Sequence, residues 1–489
     1  MTPSNRQAVI YEEWRTTDNN ILISAVAGAG KTSTLMQLLE FCEYRTLFLA
    51  FNTSIKDEIQ NKIEEKGFKH AKAMTMHSMG LSAIRNRYKR VNIDGNKGWK
   101  IIKKFEEGEY KNVLRKIKWE DRLKLFYSLI DILDGSRMFL TDDIDTLETY
   151  LLSMDKVLYK HKRFKDFVTE IFRLRDESYE GLNIDIDFID MIYLPVIKDF
   201  EIPIKPYYLF IDEAQDLSLY QHKLIDKLIN QGDIHKWVAV GDEFQSIYGF
   251  AGSDSNSFNM FKEKPNVVEL PLDICYRCDR AIVRVANEVY PIMTAFKETE
   301  GIVSRSAKIS EIKDGSMVIC RNYKPLVEVY FQLLFQGRNC FIKGEDILNN
   351  ILKFLKPYKA MTFTLAEREM SYTMEDLNED KTDLGRFKLQ MFKDNYDTYI
   401  LLKNNLITDE LSVDSLITKI KGLFVQKTDA IVLCTIHKSK GLEADVVYIL
   451  NESLIPSVFA KSPEQLKQEQ NLKYVARTRA KKELYFIEI

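Results

Sequence analysis

No run of 18 or more apolar residues occurs in this 489-residue chain, so no segment is long enough to cross a membrane as a helix. The opening stretch, "MTPSNRQAVIYEEW", has no apolar signal segment, and a cytoplasmic location is expected. Cysteine is sparse. Six residues (Cys42, Cys275, Cys278, Cys320, Cys340, Cys434) are scattered without a framework pattern, which fits a reducing compartment. "CYRC" (275–278) has C-x-x-C spacing, yet no second pair or nearby histidine completes a metal site. An excess of one charge is missing as well. Lys+Arg is 70 and Asp+Glu is 72, a net charge of −2, so bulk charge says nothing for nucleic acid and any basic surface must be local. Internal repeats and low-complexity tracts are absent too.

Enough apolar residues are present, 45%, to build real cores, and the length suits about three domains at roughly 150 residues each. Short apolar runs followed by helical stretches recur: "NILISAVAG", "TLFLAFN", "YYLFIDEAQD", "WVAVGD", then "SMVICRN", "NCFIKGED", "AIVLCTIH" and "DVVYILNE". Buried strands alternating with helices predict parallel α/β sheets, in two groups. One core is expected over 1–80 and 205–270, the other over 271–345 and 428–489. Residues 81–204 and 346–427 are charged, aromatic and poor in strand signals, and are read as helical insertions, one in each core. From Lys66 to Lys124 basic residues outnumber acidic ones by roughly three to one, with Tyr88, Trp99, Phe105 and Trp119 interspersed. That stretch reads equally as solvated helix faces or as a DNA-facing surface.

The chemistry concentrates at strand ends. "ISAVAGAGKTST" (23–34) runs from strand through small residues into helix formers. Gly28 and Gly30 let the backbone turn its N–H groups inward, and the helix from Lys31 adds its positive end. Lys31 would reach the β- and γ-phosphates and Thr32 would bind Mg²⁺. Ala25 stands where the general phosphate-loop pattern has glycine. "YYLFIDEAQD" ends a strand in adjacent carboxylates, where Asp212 would hold Mg²⁺ and Glu213 would take a proton from the attacking water. In "GDEFQSIYGF", Gln245 can sense a γ-phosphate. Tyr248 and Phe250 read as core plugs or as base-stacking platforms.

Together these segments resemble superfamily 1 helicases of the UvrD/Rep/PcrA type, in the family's order and over most of the chain. The resemblance rests on "TPSNRQAVI", "AVAGAGKTST", "LFLAFNTSIKDE", "TMHSMG", "IDEAQD", "GDEFQSIYGF", "CYRC", "CTIHKSKGLEADVVYI" and "EQNLKYVARTRAKKELYF". It implies two RecA-like cores with ATP between them, and hydrolysis coupled to cleft closure. It implies that Gln7 reads the adenine edge and that Tyr276 stacks on its face. Ala27, Gly28, Ala29, Gly30, Lys31, Thr32 and Ser33 would line the phosphates, and Glu443 would approach the ribose. Arg277 and Arg479 would act as arginine fingers. Phe51, Asn52, His77, Phe250, Thr435 and His437 would contact single-stranded DNA, with Phe250 as a stacking platform.

Several positions depart from the family. Ala251 stands where an arginine often follows the aromatic, Ser33 stands where arginine often follows "GKT", and the second insertion is short. The end at "LYFIEI" implies no attached nuclease domain. The expected activity is an ATP- and Mg²⁺-dependent single-stranded-DNA translocase and 3′-to-5′ helicase acting on single strands or tailed duplexes. Polarity rests on "HKSKGLE", since the 5′-to-3′ branch has glutamine where Lys440 stands. The alternative is a DNA-stimulated ATPase that senses DNA for a separate nuclease or for a replication or repair protein. A phosphate-loop switch independent of nucleic acid fits poorly with the paired Arg277 and Arg479 motifs.

Overall fold

β-branched and aromatic runs between helix formers set the architecture. The computed structural model describes residues 3–489 apart from 154–157, 160, 248–255, 344, 380–382, 408–411, 424–428 and 459. Contacts divide the chain into two units, Met1–Asp273 and Ile274–Ile489.

In the first unit the strands are β1 (Asn20–Ala25), β2 (Thr46–Ala50), β3 (Ala71–Thr75), β4 (Arg90–Ile93), β5 (Asn183–Ile186), β6 (Tyr208–Ile211), β7 (Lys236–Gly241) and β8 (Val267–Leu272). Six of them form one sheet in the order β3-β2-β6-β7-β1-β8, parallel at every pairing. β2 and β7 are buried along their whole lengths, as strands covered by helices on both faces must be. Because every strand points the same way, the segments leaving β1, β2, β3, β6 and β7 all emerge at one edge.

β3 and β8 lie outside the strand runs expected from hydrophobicity. Both are edge strands: β3 alternates buried Ala71 and Ala73 with exposed Lys72, and β8 carries Glu269 and Pro271, which an edge tolerates. The inserted region is mainly helical and has a core of its own around Ile101, Phe105, Leu129, Phe167 and Ile171. It also holds a short parallel pair, β4 with β5. Part of its basic stretch is structural. Lys97 is buried and meets Asp190 at 2.6 Å, and Lys100 pairs with Asp94 and Asp185.

In the second unit, β9 (Ile274–Cys275) pairs with β10 (Thr294–Ala295). β11 (Ile302–Ser304), β12 (Met317–Cys320), β13 (Cys340–Ile342), β14 (Ile431–Thr435), β15 (Ala444–Leu450) and β16 (Ala480–Ile487) form a second parallel sheet, ordered β11-β16-β15-β12-β14-β13. The two parallel-sheet cores of the expected α/β class are both present. Among the described residues, the helices inserted between β13 and β14 share a core with the sheet. Leu355, Met370, Tyr399 and Ile420 share one core with Val318, Cys320 and Leu433 of the sheet.

Candidate active site

β1 ends at Ala25, and the chain turns through Gly28 (φ 71°) and Gly30 (φ 79°) before the helix Lys31–Leu38. Both glycines sit in the left-handed region, which costs other residues energy. Ala27 and Ala29 are buried, Thr32 is half-buried and Ser33 is exposed. Gln7 lies beside this turn. It completes a capping box with Ser4 at the start of the helix Asn5–Thr16, and its amide donates to Thr34 Oγ1 at 3.0 Å.

Lys31 reaches along the sheet edge to the end of β6, past β7. Its Nζ meets Glu213 Oε2 at 2.6 Å, just past β6. Burial opposes the Lys31 charge, but Glu213, Asp212 and Asp242 outweigh it and raise its pKa. Burial, reinforced by Glu213, pushes Asp212 up to about 6 against the pull of Lys31. Burial also pushes Asp242 up to about 6, against Lys31 and the Gln245 amide. Glu213 adopts φ 52° and ψ 44°, a left-handed conformation that a non-glycine residue keeps only when its surroundings enforce it.

Gln215 ties these groups together, and the sequence reading assigned it no role. Its Nε2 donates to Glu213 Oε2 at 2.8 Å, and its Oε1 accepts from the Asp242 backbone N–H at 3.0 Å. The Gln245 amide donates to Asp242 Oδ2 at 2.7 Å. A continuous chain of contacts therefore runs Lys31–Glu213–Gln215–Asp242–Gln245. Gly241 makes room for it, because a Cβ there would stand 2.5 Å from Gln215 Oε1. The local hint in the sequence is slight: Asp242 directly follows the apolar β7, and Gln215 stands four residues past the end of β6.

Farther along the same edge are the residues expected to meet DNA. Phe51 follows β2 and is partly buried against the sheet's core. Asn52 caps the helix Thr53–Glu65, accepting from Ile55 N at 2.9 Å. His77 lies in the first turn of the helix after β3, and burial lowers its pKa. Its ring stands edge-on to Phe188 at 6.2 Å, and Phe188 is 61% exposed. Phe188 is a second residue the sequence reading passed over, since nothing local joins it to His77. Phe250 lies outside the described residues, as do Tyr248 and Ala251.

The second unit separates its predicted residues into two groups. Thr435 ends β14 at the carboxyl edge of the sheet and caps the helix Ile436–Ser439, which carries His437. Burial, with Arg321, Lys438 and Lys440, pushes His437 down to about 3, so its ring is neutral. Glu443 and Arg479 precede β15 and β16, at the opposite edge. Arg277 joins them there: its Nε meets Glu443 Oε2 at 2.5 Å, while Lys481 holds Oε1 at 2.7 Å. Burial works against the Glu443 charge, but Lys481 and Arg277 prevail and lower its pKa. Arg479 is 1% exposed and donates to the carbonyls of Val475 and Leu442. Tyr276 packs against Phe296 at 4.6 Å, and its buried hydroxyl has no hydrogen-bond partner among the described residues.

The UvrD/REP helicase N-terminal domain matches residues 1–266, and the UvrD-like helicase C-terminal domain matches residues 430–487. An ATP-dependent DNA helicase Rep from Buchnera aphidicola subsp. Baizongia pistaciae is 27% identical over 286 residues, covering 54% of this chain and 40% of that protein. The ATP-dependent DNA helicase PcrA of Bacillus subtilis is 25% identical over 306 residues, covering 58% and 39%. The chain spans about two fifths of the length of these two relatives. An ATP-dependent DNA helicase Rep from Buchnera aphidicola subsp. Acyrthosiphon pisum is 23% identical over 523 residues, covering 93% of this chain and 76% of that protein. With its N-terminal model matched over more than half its length, this chain belongs to the UvrD/REP helicase family.

Proposed function

We propose that the chain is an ATP-driven motor that moves along single-stranded DNA and unwinds tailed duplexes in the 3′-to-5′ direction. The observation that carries this reading is one sheet edge. It presents the phosphate loop and the bonded cluster Lys31–Glu213–Gln215–Asp242–Gln245, and beside them Phe51, Asn52 and His77.

Thr32 and Asp212 are the residues that would hold magnesium. The donor set fits: hydroxyl and carboxylate oxygens are hard ligands. Three acidic groups, Asp212, Glu213 and Asp242, also act on the single Lys31 ammonium, leaving negative charge for a divalent cation to balance. Magnesium supplies neutralisation of the charge on the phosphate oxygens.

The chain's own groups do the rest. Loop N–H groups and Lys31 bind the phosphates. As Lys31 turns to them it releases Glu213, which then accepts a proton from the attacking water. Gln215 keeps the Glu213 carboxylate oriented meanwhile. Gln245 relays the presence of the γ-phosphate through Asp242. Gln7 and Tyr276 recognise the adenine, and Glu443 the ribose. Arg277 and Arg479 supply positive charge to the transferring phosphoryl group. Phe51, Asn52, His77, Phe250, Thr435 and His437 hold DNA. His437 is neutral, so its contact is stacking or hydrogen bonding rather than ion pairing with phosphate.

Strand displacement on duplexes with a 3′ or a 5′ single-stranded tail tests the reading. Opening of the 3′-tailed substrate alone is expected, and opening of the 5′-tailed substrate alone overturns the polarity. Strong stimulation of ATP hydrolysis by DNA with neither duplex opened favours a sensor that serves a separate partner protein. The second insertion gives that alternative some support, because its described helices share their core with the sheet.

A further inference from the structure

Behind the acidic cluster lies a buried histidine–serine pair. His222, in the helix Leu219–Asn230, is fully buried, and its Nε2 stands 2.8 Å from Ser257 Oγ. Ser257 opens the helix Ser257–Lys262 and is 1% exposed. Its hydroxyl donates to the Ala214 carbonyl at 2.6 Å. A serine has one proton to give. With that proton on Ala214 O, Ser257 Oγ must accept from His222, which fixes the imidazole as the neutral tautomer protonated at Nε2. Nδ1 is then an acceptor, buried with no partner among the described residues. The protein leaves that acceptor unpaired in order to hold this one bond, since an unpaired buried polar atom is costly.

Ala214 is the residue after Glu213. The turn it belongs to begins in the left-handed conformation of Glu213 and closes through Asp216 N–H to Glu213 O at 3.0 Å. Ser246 Oγ donates to the next carbonyl, that of Gln215, at 3.2 Å. The strained turn is thus pinned from outside at two successive carbonyls. Ser257 and His222 are both buried, and the hydrogen bonds of Ser257 go to His222 and to the Ala214 carbonyl.

We infer that Ser257, oriented by His222, is a positioning residue: by holding the Ala214 carbonyl it keeps the Glu213 carboxylate set for proton transfer. The inference rests on the ATPase reading above. It separates binding from chemistry. Among the described residues Ser257 bonds to His222 and to Ala214, while Lys31 bonds to Glu213, so nucleotide affinity is expected to survive the loss of Ser257 while the geometry of the base is not.

The test is steady-state ATP hydrolysis by the full chain with saturating single-stranded DNA. Ser257→Ala is expected to lower kcat about ten- to a hundredfold, the scale of a small misplacement of a reacting group, with KM for ATP held within about twofold. Ser257→Thr, which keeps the hydroxyl, is expected to restore kcat to within about threefold of the parent. If Ser257→Ala does not fold, Ser257→Cys, nearly isosteric but a weak donor, takes its place with the same expectation. A parent that hydrolyses ATP and an Ala or Cys variant with the same kcat overturns this inference alone. So does a variant that loses kcat and affinity together with no rescue by threonine, because that marks general damage to the fold. A parent with no hydrolysis at all overturns the ATPase reading and this inference with it.

Discussion

Lys31 is held by Glu213 at 2.6 Å, and Asp212 and Asp242 act on the same ammonium. At this scale each side chain has a separable task. Glu213→Gln keeps size and polarity but cannot accept a proton. Equilibrium nucleotide titration should show binding retained, while turnover falls by roughly a hundredfold or more. Lys31→Ala should weaken binding as well, because the cation facing the phosphates is gone. Acid stability isolates His222. Burial pushes its pKa down to about 4, helped by Lys264, offset by Asp226, with a small contribution from Lys223. The folded state therefore prefers the neutral ring. Its contribution is whole above about pH 6.5, the unfolded value, and is lost as pH falls toward 4, a change of about 3 kcal/mol. Asp212 and Asp242 run the other way, since their raised pKa values favour the folded state as they take up protons below about pH 6. Denaturant titrations at about pH 7 and about pH 4.5 on the parent and on His222→Phe separate the two. The variant should lose less stability on acidification, and equal losses would remove His222 from the account.

Elements decide which residues meet. The phosphate loop and the Asp212–Glu213 pair are legible from sequence because each follows its strand without interruption, so strand, turn and chemistry are adjacent in the chain. The Gln215–Asp242 bond is not legible, because it depends on β6 lying beside β7, a pairing between segments with no local signature. The same holds for Phe188 and His77, which the fold of the inserted region brings together from distant parts of the chain. β3, β8 and β16 each carry a charged residue at an exposed position (Lys72, Glu269 and Lys482) and so escape a hydrophobic reading. Phe188→Ala should weaken single-stranded-DNA binding roughly five- to a hundredfold, the cost of one lost stacking contact, with the melting temperature unchanged. A lowered melting temperature with unchanged affinity would make Phe188 a packing residue. The helix that carries Gln7 has its own anchor. Buried Lys236 Nζ donates to the carbonyls of Trp14 and Thr17 at 3.0 and 2.8 Å and lies 4.6 Å from the Trp14 ring. Lys236→Met leaves those carbonyls unpaired and should cost about 2–3 kcal/mol, read as a lower denaturant midpoint.

For the whole molecule, two parallel sheets each gather chemistry at strand ends, a placement that open α/β sheets favour. In the first sheet one edge carries the glycine turn with Lys31 and, beside it, Phe51, Asn52 and His77. The second brings Arg277, Glu443 and Lys481 together at one end and Thr435 with His437 at the other. The class of fold and the order of its parts follow from strand–helix alternation. The compactness of the second insertion does not, because it depends on which apolar helix faces find the sheet. The central claim is that the Lys31–Glu213 site turns over ATP in response to DNA. It is tested most directly by the rate of ATP hydrolysis with and without single-stranded DNA at fixed salt. Stimulation of roughly five- to a hundredfold is expected, the range of a typical coupling between sites, and Glu213→Gln should abolish it. A hydrolysis rate that single-stranded DNA leaves unchanged would contradict the account.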